Sequence, residues 1–125
     1  MRRLVLDAGA VLAWFDADGA ASETRTEYES GALRVLGPRH LLADVLDRVA
    51  RTGNWSADEL ARIGSELERL GFELTDPPGG LLAVWLARGL DARRAAYAAL
   101  AEHLEVRLVT EDESLRRHAG SLILA

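Results

Sequence analysis

The stretch LVLDAG, residues 4–9, decides the fold. Its first three residues are apolar and β-prone, and the run ends at Asp7, a pattern typical of a short buried strand. The small residues that follow predict a turn, and an apolar segment over residues 10–15 predicts a short helix. A strand followed at once by a helix is the repeating unit of an α/β protein.

The same alternation continues along the chain. Predicted strands cover residues 33–36, 72–75 and 122–124, with one more centred on Leu108 and Val109. Further helices are predicted from Pro38, after the Ser56–Glu59 capping box, over 81–88, from Asp91 to about His103, and from 111. Strands that alternate with helices predict a mostly parallel central sheet covered on both faces, so we expect a single three-layer α/β/α domain over residues 1–125. Residues 20–31 are polar with little apolar periodicity, which predicts a partly ordered loop or a weak helix.

The composition excludes several classes of protein. The chain has 125 residues, a formal net charge of -5 and no cysteine, which excludes a disulfide framework and a thiolate zinc site. All of its basic residues are arginine, so no mechanism can use a catalytic lysine. No apolar run approaches the roughly 20 residues of a membrane span, and the N-terminus makes a poor signal peptide, so we expect a soluble cytoplasmic protein without membrane contact.

Three aspartates are candidates for a functional site. Asp7 follows the first predicted strand, and Asp112 lies just beyond the strand at residues 108–110. Ligands of open parallel sheets bind outside the carboxyl ends of the strands, although an aspartate at either position is also typical of a turn or a cap. Asp44 lies inside the helix predicted from Pro38, where the helical pattern alone predicts a solvent-exposed acid. The three histidines have no paired metal spacing.

Four blocks of the sequence resemble, in order, the PIN domain family as found in VapC-type toxins. In the last block a threonine and an aspartate, Thr110 and Asp112, are separated by one residue. The blocks are residues 3–13, 41–46, 89–102 and 108–112. Together they span nearly the whole chain, so the resemblance implies a PIN-like three-layer fold.

The resemblance also implies a function. Members of this family are metal-dependent endoribonucleases, in which acids from separate blocks hold Mg²⁺ or Mn²⁺ for hydrolysis of RNA phosphodiesters. Carried over to this chain, the catalytic and metal-binding acids are Asp7, Asp44 and Asp112, with Thr110 in a supporting role. Hard divalent cations select such carboxylate oxygens. The implied partners are an RNA substrate, a second copy of the chain in a homodimer, and a cognate antitoxin.

One departure from the family opens an alternative. Arg94 stands where the third block usually has an aspartate, and a guanidinium cannot bind a metal ion. We expect Arg94 to pair with Asp7 or Asp112 and stand in place of the metal, or to contact a phosphate. We expect Asp91 to support the site and to turn back as the cap of its own helix. The metal would then be weakly held or absent. The alternative is a catalytically inactive PIN-like domain that binds a protein or RNA.

A third class, the phosphate-handling α/β proteins, fits less well. Receiver domains and haloacid-type phosphatases also place an acid at the end of the first strand. A receiver uses a lysine, which this chain lacks, and the phosphatases have a second aspartate where this chain has Gly9.

Overall fold

The strands form one open, fully parallel sheet. The structure is a computed structural model, which describes residues 1–15 and 23–124. The strands are β1 (Arg2–Leu6), β2 (Leu33–Gly37), β3 (Glu73–Leu74) and β4 (Arg107–Val109), and their order in the sheet is β3-β2-β1-β4. Every pairing between neighbours is parallel, so the predicted α/β fold with a parallel central sheet is confirmed.

Helices cover the sheet on both sides. They are α1 (Ala8–Ala13), α2 (Glu23–Glu29), α3 (Leu41–Ala50), α4 (Ala57–Arg69), α5 (Gly79–Ala87), α6 (Ala92–Leu104) and α7 (Glu113–His118), followed by a short 3-10 helix over Gly120–Leu122. Helix α1 packs on β1 and α3, and α3 packs on α4. Helix α6 packs on β1 and β4 and carries α5 on its outer side. The result is the three-layer α/β/α sandwich.

Strand β1 lies at the centre of this arrangement. Leu4, Val5 and Leu6 are consecutive and all buried. Because successive side chains of a strand point to opposite faces, three buried neighbours require that both faces of β1 be covered. The chain passes from β1 to β2 on one side, while β4 pairs with β1 on the other. The carboxyl ends of β1 and β4 therefore meet at a switch point, where open α/β sheets form a crevice.

Two predicted helix starts are confirmed. Ser56 caps α4 by accepting a hydrogen bond from the backbone N–H of Glu59, whose side chain accepts one from the Ser56 N–H in return. Asp91 caps α6 by accepting a hydrogen bond from the backbone N–H of Arg94. These caps satisfy amides that have no partner within a helix, and the second fixes where α6 begins relative to the sheet.

Two predicted boundaries are wrong. The helix expected from Pro38 begins at Leu41. Residues 38–40 form a turn before it, in which the Arg39 N–H donates a hydrogen bond to the Asp76 side chain. The last strand expected over residues 122–124 does not form, because Leu122 ends the 3-10 helix and Leu124 only donates its N–H to the Leu108 carbonyl. Only Ile123 forms a bridge there, to Leu108, because the Leu122 N–H is already bonded to the Ala119 carbonyl.

Two other segments differ in extent from the prediction. The strand expected over residues 72–75 covers only Glu73–Leu74. In the polar segment 20–31, residues 23–29 form helix α2, and residues 20–22 lie outside the described residues. Within the described part of the chain, no helix has both the length and the apolar character needed to span a bilayer.

Candidate active site

A polar cavity of about 510 Å³ lies beyond the carboxyl ends of β1 and β4. It is lined by Asp7, Ala8, Asp44, Asp47, Arg48, Arg51, Asp91, Arg93, Arg94, Tyr97, Asp112 and Leu115. The structure thus places all three predicted catalytic acids, together with Asp91 and Arg94, around one hollow. We refer to this hollow as the acidic cavity.

Asp7 lies at the floor of the acidic cavity, only 4% exposed. It is the N-cap of α1 and accepts a hydrogen bond of 2.9 Å from the Ala10 N–H, while its other oxygen accepts one from the Thr110 hydroxyl. Burial raises the pKa of Asp7, because the charged carboxylate loses water, and the two hydrogen bonds and the positive charge of Arg48 oppose that rise. Asp7 is therefore held in one orientation at the end of β1.

Thr110 connects the ends of the two central strands. Its hydroxyl donates to Asp7 and accepts a hydrogen bond of 2.9 Å from the backbone N–H of Asp112. The Asp112 carboxylate in turn caps α7 by accepting from the Leu115 N–H. The spacing of one residue between Thr110 and Asp112 thus lets a single hydroxyl bridge one acid and the backbone of the other.

Asp44 is buried, at 5% exposure, so the expectation of a solvent-exposed acid from the helical pattern is wrong. Its Oδ2 accepts a hydrogen bond of 2.7 Å from the Tyr97 hydroxyl, and His40 Nε2 lies 3.5 Å from the same oxygen. Its Oδ1 lies 3.0 Å from Arg93 Nε, an ion pair whose angles do not make a hydrogen bond. Burial, and then the hydrogen bond to Asp44, raise the pKa of Tyr97. Its hydroxyl therefore stays protonated and acts as the donor of that hydrogen bond.

Arg94 pairs with Asp112, one of the two partners expected for it. Its Nε lies 3.0 Å and 3.1 Å from the two oxygens of Asp112, and its Nη1 lies 2.5 Å from Asp91 Oδ2. The hydrogen bond to Asp112 is the main cause of the raised pKa of Arg94. The guanidinium is therefore a fixed positive charge at the edge of the acidic cavity, held between two carboxylates while 41% of the side chain stays exposed.

Several contacting residues were not predicted as part of the site. Tyr97 and Arg93 both contact Asp44, and His40, the N-cap residue of α3, lies 3.5 Å from it. The signal that could have found them is helical spacing, since residues 93 and 97, and residues 40 and 44, are four apart and face the same side. Arg48, four residues after Asp44, follows the same rule.

The carboxylates of the acidic cavity are the right ligands for a hard divalent cation, but they lie too far apart to hold one as they stand. Carboxylate oxygens are the right donors, and the buried Asp44 Oδ1 makes no hydrogen bond. Yet among residues 1–15 and 23–124 no three acidic or histidine side chains lie close enough together to hold a metal ion. Arg94 occupies the oxygens of Asp112. An ion could be held by Asp7, Asp44 and Asp112 only if Arg94 released Asp112 and the three carboxylates moved closer together.

Comparisons with known proteins bear on the fold. No protein-family model matches the chain, and no curated protein matches it. Among solved structures, the chain is similar to the crystal structure of PAE2754 from Pyrobaculum aerophilum, with 25% identical residues and a TM-score of 0.69. The similarity covers 98% of this chain and 83% of that one. It supports the α/β/α architecture for nearly the whole chain.

Proposed function

We propose that this protein is an endoribonuclease of the PIN type, which hydrolyses RNA phosphodiesters with Mg²⁺ or Mn²⁺. The observation that carries the proposal is that Asp7, Asp44 and Asp112, from three distant segments, line one cavity. The family resemblance supplies the reaction, and the position at the switch point of the sheet supports a ligand site there.

The chain's own residues would hold the acids in place during this reaction. Thr110 fixes the orientation of Asp7 and the backbone of Asp112, and Tyr97 fixes Asp44 from the opposite wall. A bound divalent ion supplies the chemistry of orienting a water molecule and neutralising the leaving oxygen. Burial of Asp7 and Asp44 keeps bulk water from competing for their oxygens.

The ion pair that Arg94 makes with Asp112 opposes metal binding only weakly. Arg94 is 41% exposed, and ion pairs open to solvent contribute about 1 kcal/mol or less. Arg93 is 63% exposed, but its partner Asp44 is only 5% exposed, so the surface value does not apply to that pair. Asp112 is 13% exposed, so its pair with Arg94 lies at the strong end of that range. Coordination of a divalent ion by two or three carboxylates can offset such a cost, with reduced affinity.

The direct test is cleavage of a 5′-labelled single-stranded RNA in Mn²⁺, resolved by gel electrophoresis. We expect the wild-type chain to cleave, EDTA to stop cleavage, and Asp7→Asn to lower the rate by more than about a hundredfold, the scale of removing a charge-stabilising group. Asp58→Asn, an exposed acid in the first turn of α4, is the matched control and should cleave like wild type. Equal loss in both variants would contradict the site.

A second candidate is favoured by one observation, the pair between Arg94 and Asp112. In this alternative the domain is catalytically inactive and serves as a protein- or RNA-binding module, with Arg94 permanently in place of a metal. Calorimetry with Mn²⁺ distinguishes the two. The nuclease predicts measurable Mn²⁺ binding by wild type that Arg94→Ala strengthens. The inactive domain predicts no binding by wild type, and binding only after Arg94→Asp restores an acid.

The partners belong to the same proposal. A homodimer is supported by Val84 and Leu86, which α5 exposes while its Trp85 is buried in the core. Sedimentation velocity should then give about twice the chain mass of 13.6 kDa, and Val84→Glu should return the monomer. A cognate antitoxin would be recognised by its ability to suppress the RNA cleavage described above. The cytoplasmic location expected from the sequence also stays a proposal.

A further inference from the structure

Arg48 differs from the other three arginines of the acidic cavity. Arg51 pairs with Asp47 at 3.2 Å, Arg93 with Asp44 at 3.0 Å, and Arg94 with Asp112 at 3.0 Å. No acidic side chain of residues 1–15 and 23–124 lies within 4.0 Å of the Arg48 guanidinium, although Arg48 lines the cavity. Within the described part of the chain it is the positive charge of the site that has no carboxylate partner.

The position of this guanidinium is set by Gly9. A Cβ atom on Gly9 would lie 3.0 Å from Arg48 Nη1 and 3.9 Å from its Cζ. The guanidinium therefore rests against α1 where the chain has no side chain. The same Cβ would lie 3.6 Å from Asp7 Oδ1, so Arg48 lies beside the predicted catalytic acid, and its charge lowers the pKa of Asp7 against the effect of burial.

We propose that Arg48 is the residue that binds a phosphate group of the RNA in the acidic cavity. This inference rests on the proposed function and names the group that positions the substrate. A guanidinium presents two parallel N–H donors that match the oxygens of a phosphate, and an arginine without a carboxylate partner gives up no ion pair when it binds one. The five aspartates that line the cavity repel the phosphates of RNA. A phosphate can therefore bind there only beside a positive charge that is not already paired with a carboxylate.

The experiment measures binding separately from cleavage. Fluorescence anisotropy of a labelled single-stranded RNA is recorded in EDTA, over a series of salt concentrations. We expect Arg48→Gln to weaken binding by about tenfold or more, as for loss of a charged hydrogen bond, and to lower the slope of log affinity against log salt by about 0.7. Arg62→Gln, an exposed arginine on α4 outside the cavity, is the matched control and should bind like wild type.

A second variant tests the position of the charge without removing it. Gly9→Ala places a methyl group against Arg48 Nη1 and displaces the guanidinium. Alanine also favours the helical conformation of α1, so the fold should be retained, and thermal unfolding checks this. We expect weaker RNA binding with an unchanged salt slope, because the charge stays near the cavity.

The possible outcomes separate this inference from the proposed function. If Arg48→Gln binds RNA with the affinity and salt slope of wild type, or if Arg62→Gln loses as much, Arg48 does not bind phosphate and this inference is overturned. Mn²⁺-dependent cleavage by wild type would still stand in that case. If wild type does not bind RNA, the inference fails together with the RNA substrate. If wild type binds in the expected pattern but never cleaves, the inference stands and the nuclease activity fails.

Discussion

Helix α3 separates two hollows of nearly equal size. The acidic cavity on one side has about 510 Å³, and an apolar groove on the other has about 520 Å³. Asp44, Arg48 and Arg51 face the first, while Val45, Val49 and Thr52 face the second. The apolar groove is lined by Leu12, Phe15, Val45, Val49, Thr52, Trp55, Ile63, Glu66, Leu67 and Leu70.

The difference lies in how each hollow is stabilised. In the acidic cavity five aspartates face four arginines, and the buried carboxylates depend on named hydrogen bonds and ion pairs. Among the described residues the groove is lined by one charged residue, Glu66, and most of its apolar walls are part of the hydrophobic core or packed against it, while Phe15 and Trp55 are exposed. Apolar area removed from water stabilises a fold, whereas solvent-exposed ion pairs add little. We infer that the groove side of α3 holds the fold and the cavity side is available for chemistry.

The largest expected effect is on the groove side. Leu67 is 3% exposed and forms a wall between α4 and the core, so Leu67→Ala should lower the free energy of unfolding by about 2–4 kcal/mol. Urea denaturation followed by circular dichroism measures this. Glu68→Ala, an exposed residue next to Leu67 on the same helix, is the control and should cost much less. Equal losses would mean that the groove wall carries no special share of the stability.

A smaller effect is expected on the cavity side, and its sign is opposite. Asp7 has a raised pKa in the folded protein, so between its ordinary pKa of 3.8 and the raised value the folded state binds more protons than the unfolded state. The ionisation of Asp7 therefore lowers the free energy of unfolding as the pH rises through that window. Above the window the whole loss is present. Asp7→Asn should be more stable than wild type at neutral pH.

The pH dependence distinguishes this electrostatic cause from a packing effect. The advantage of Asp7→Asn should shrink as the pH falls towards 3.8, because wild type is then protonated as well. Urea midpoints measured from neutral to acidic pH follow this change. A constant difference at every pH would indicate a packing effect. A variant less stable than wild type at neutral pH would show that the bonds from Thr110 and Ala10 outweigh the cost of burying the charge.

The sequence predicted local features of the chain better than contacts between distant segments. The apolar run before Asp7 and the caps at Ser56 and Asp91 are local signals, and the structure confirms them. The burial of Asp44 is not local: it depends on Tyr97, which comes from a helix more than fifty positions away. Helical spacing could place residues on one face of α3 but could not show which neighbour covers that face.

The same limit explains the arginines. The sequence showed that Arg94 departs from the family pattern, and the resemblance to that family indicated that it would face an acid at the end of β1 or β4. It could not choose between Asp7 and Asp112. That choice depends on Thr110, whose hydroxyl donates a hydrogen bond to Asp7, and on Asp112, which caps α7 and accepts hydrogen bonds from Arg94 of α6.

The smallest expected effect concerns Arg94 itself. Its ion pairs with Asp112 and Asp91 are partly exposed, so Arg94→Ala should change the free energy of unfolding by about 1 kcal/mol or less. Arg117→Ala removes an exposed pair with Glu113 on α7 and should change it even less, because that pair is longer and more solvated. Both are measured by urea denaturation at low salt, and the effect of Arg94→Ala should fall when salt is added. A loss several times larger would mean that Arg94 is a structural part of the cavity wall, and the proposed release of Asp112 to a metal ion would then be too costly to occur.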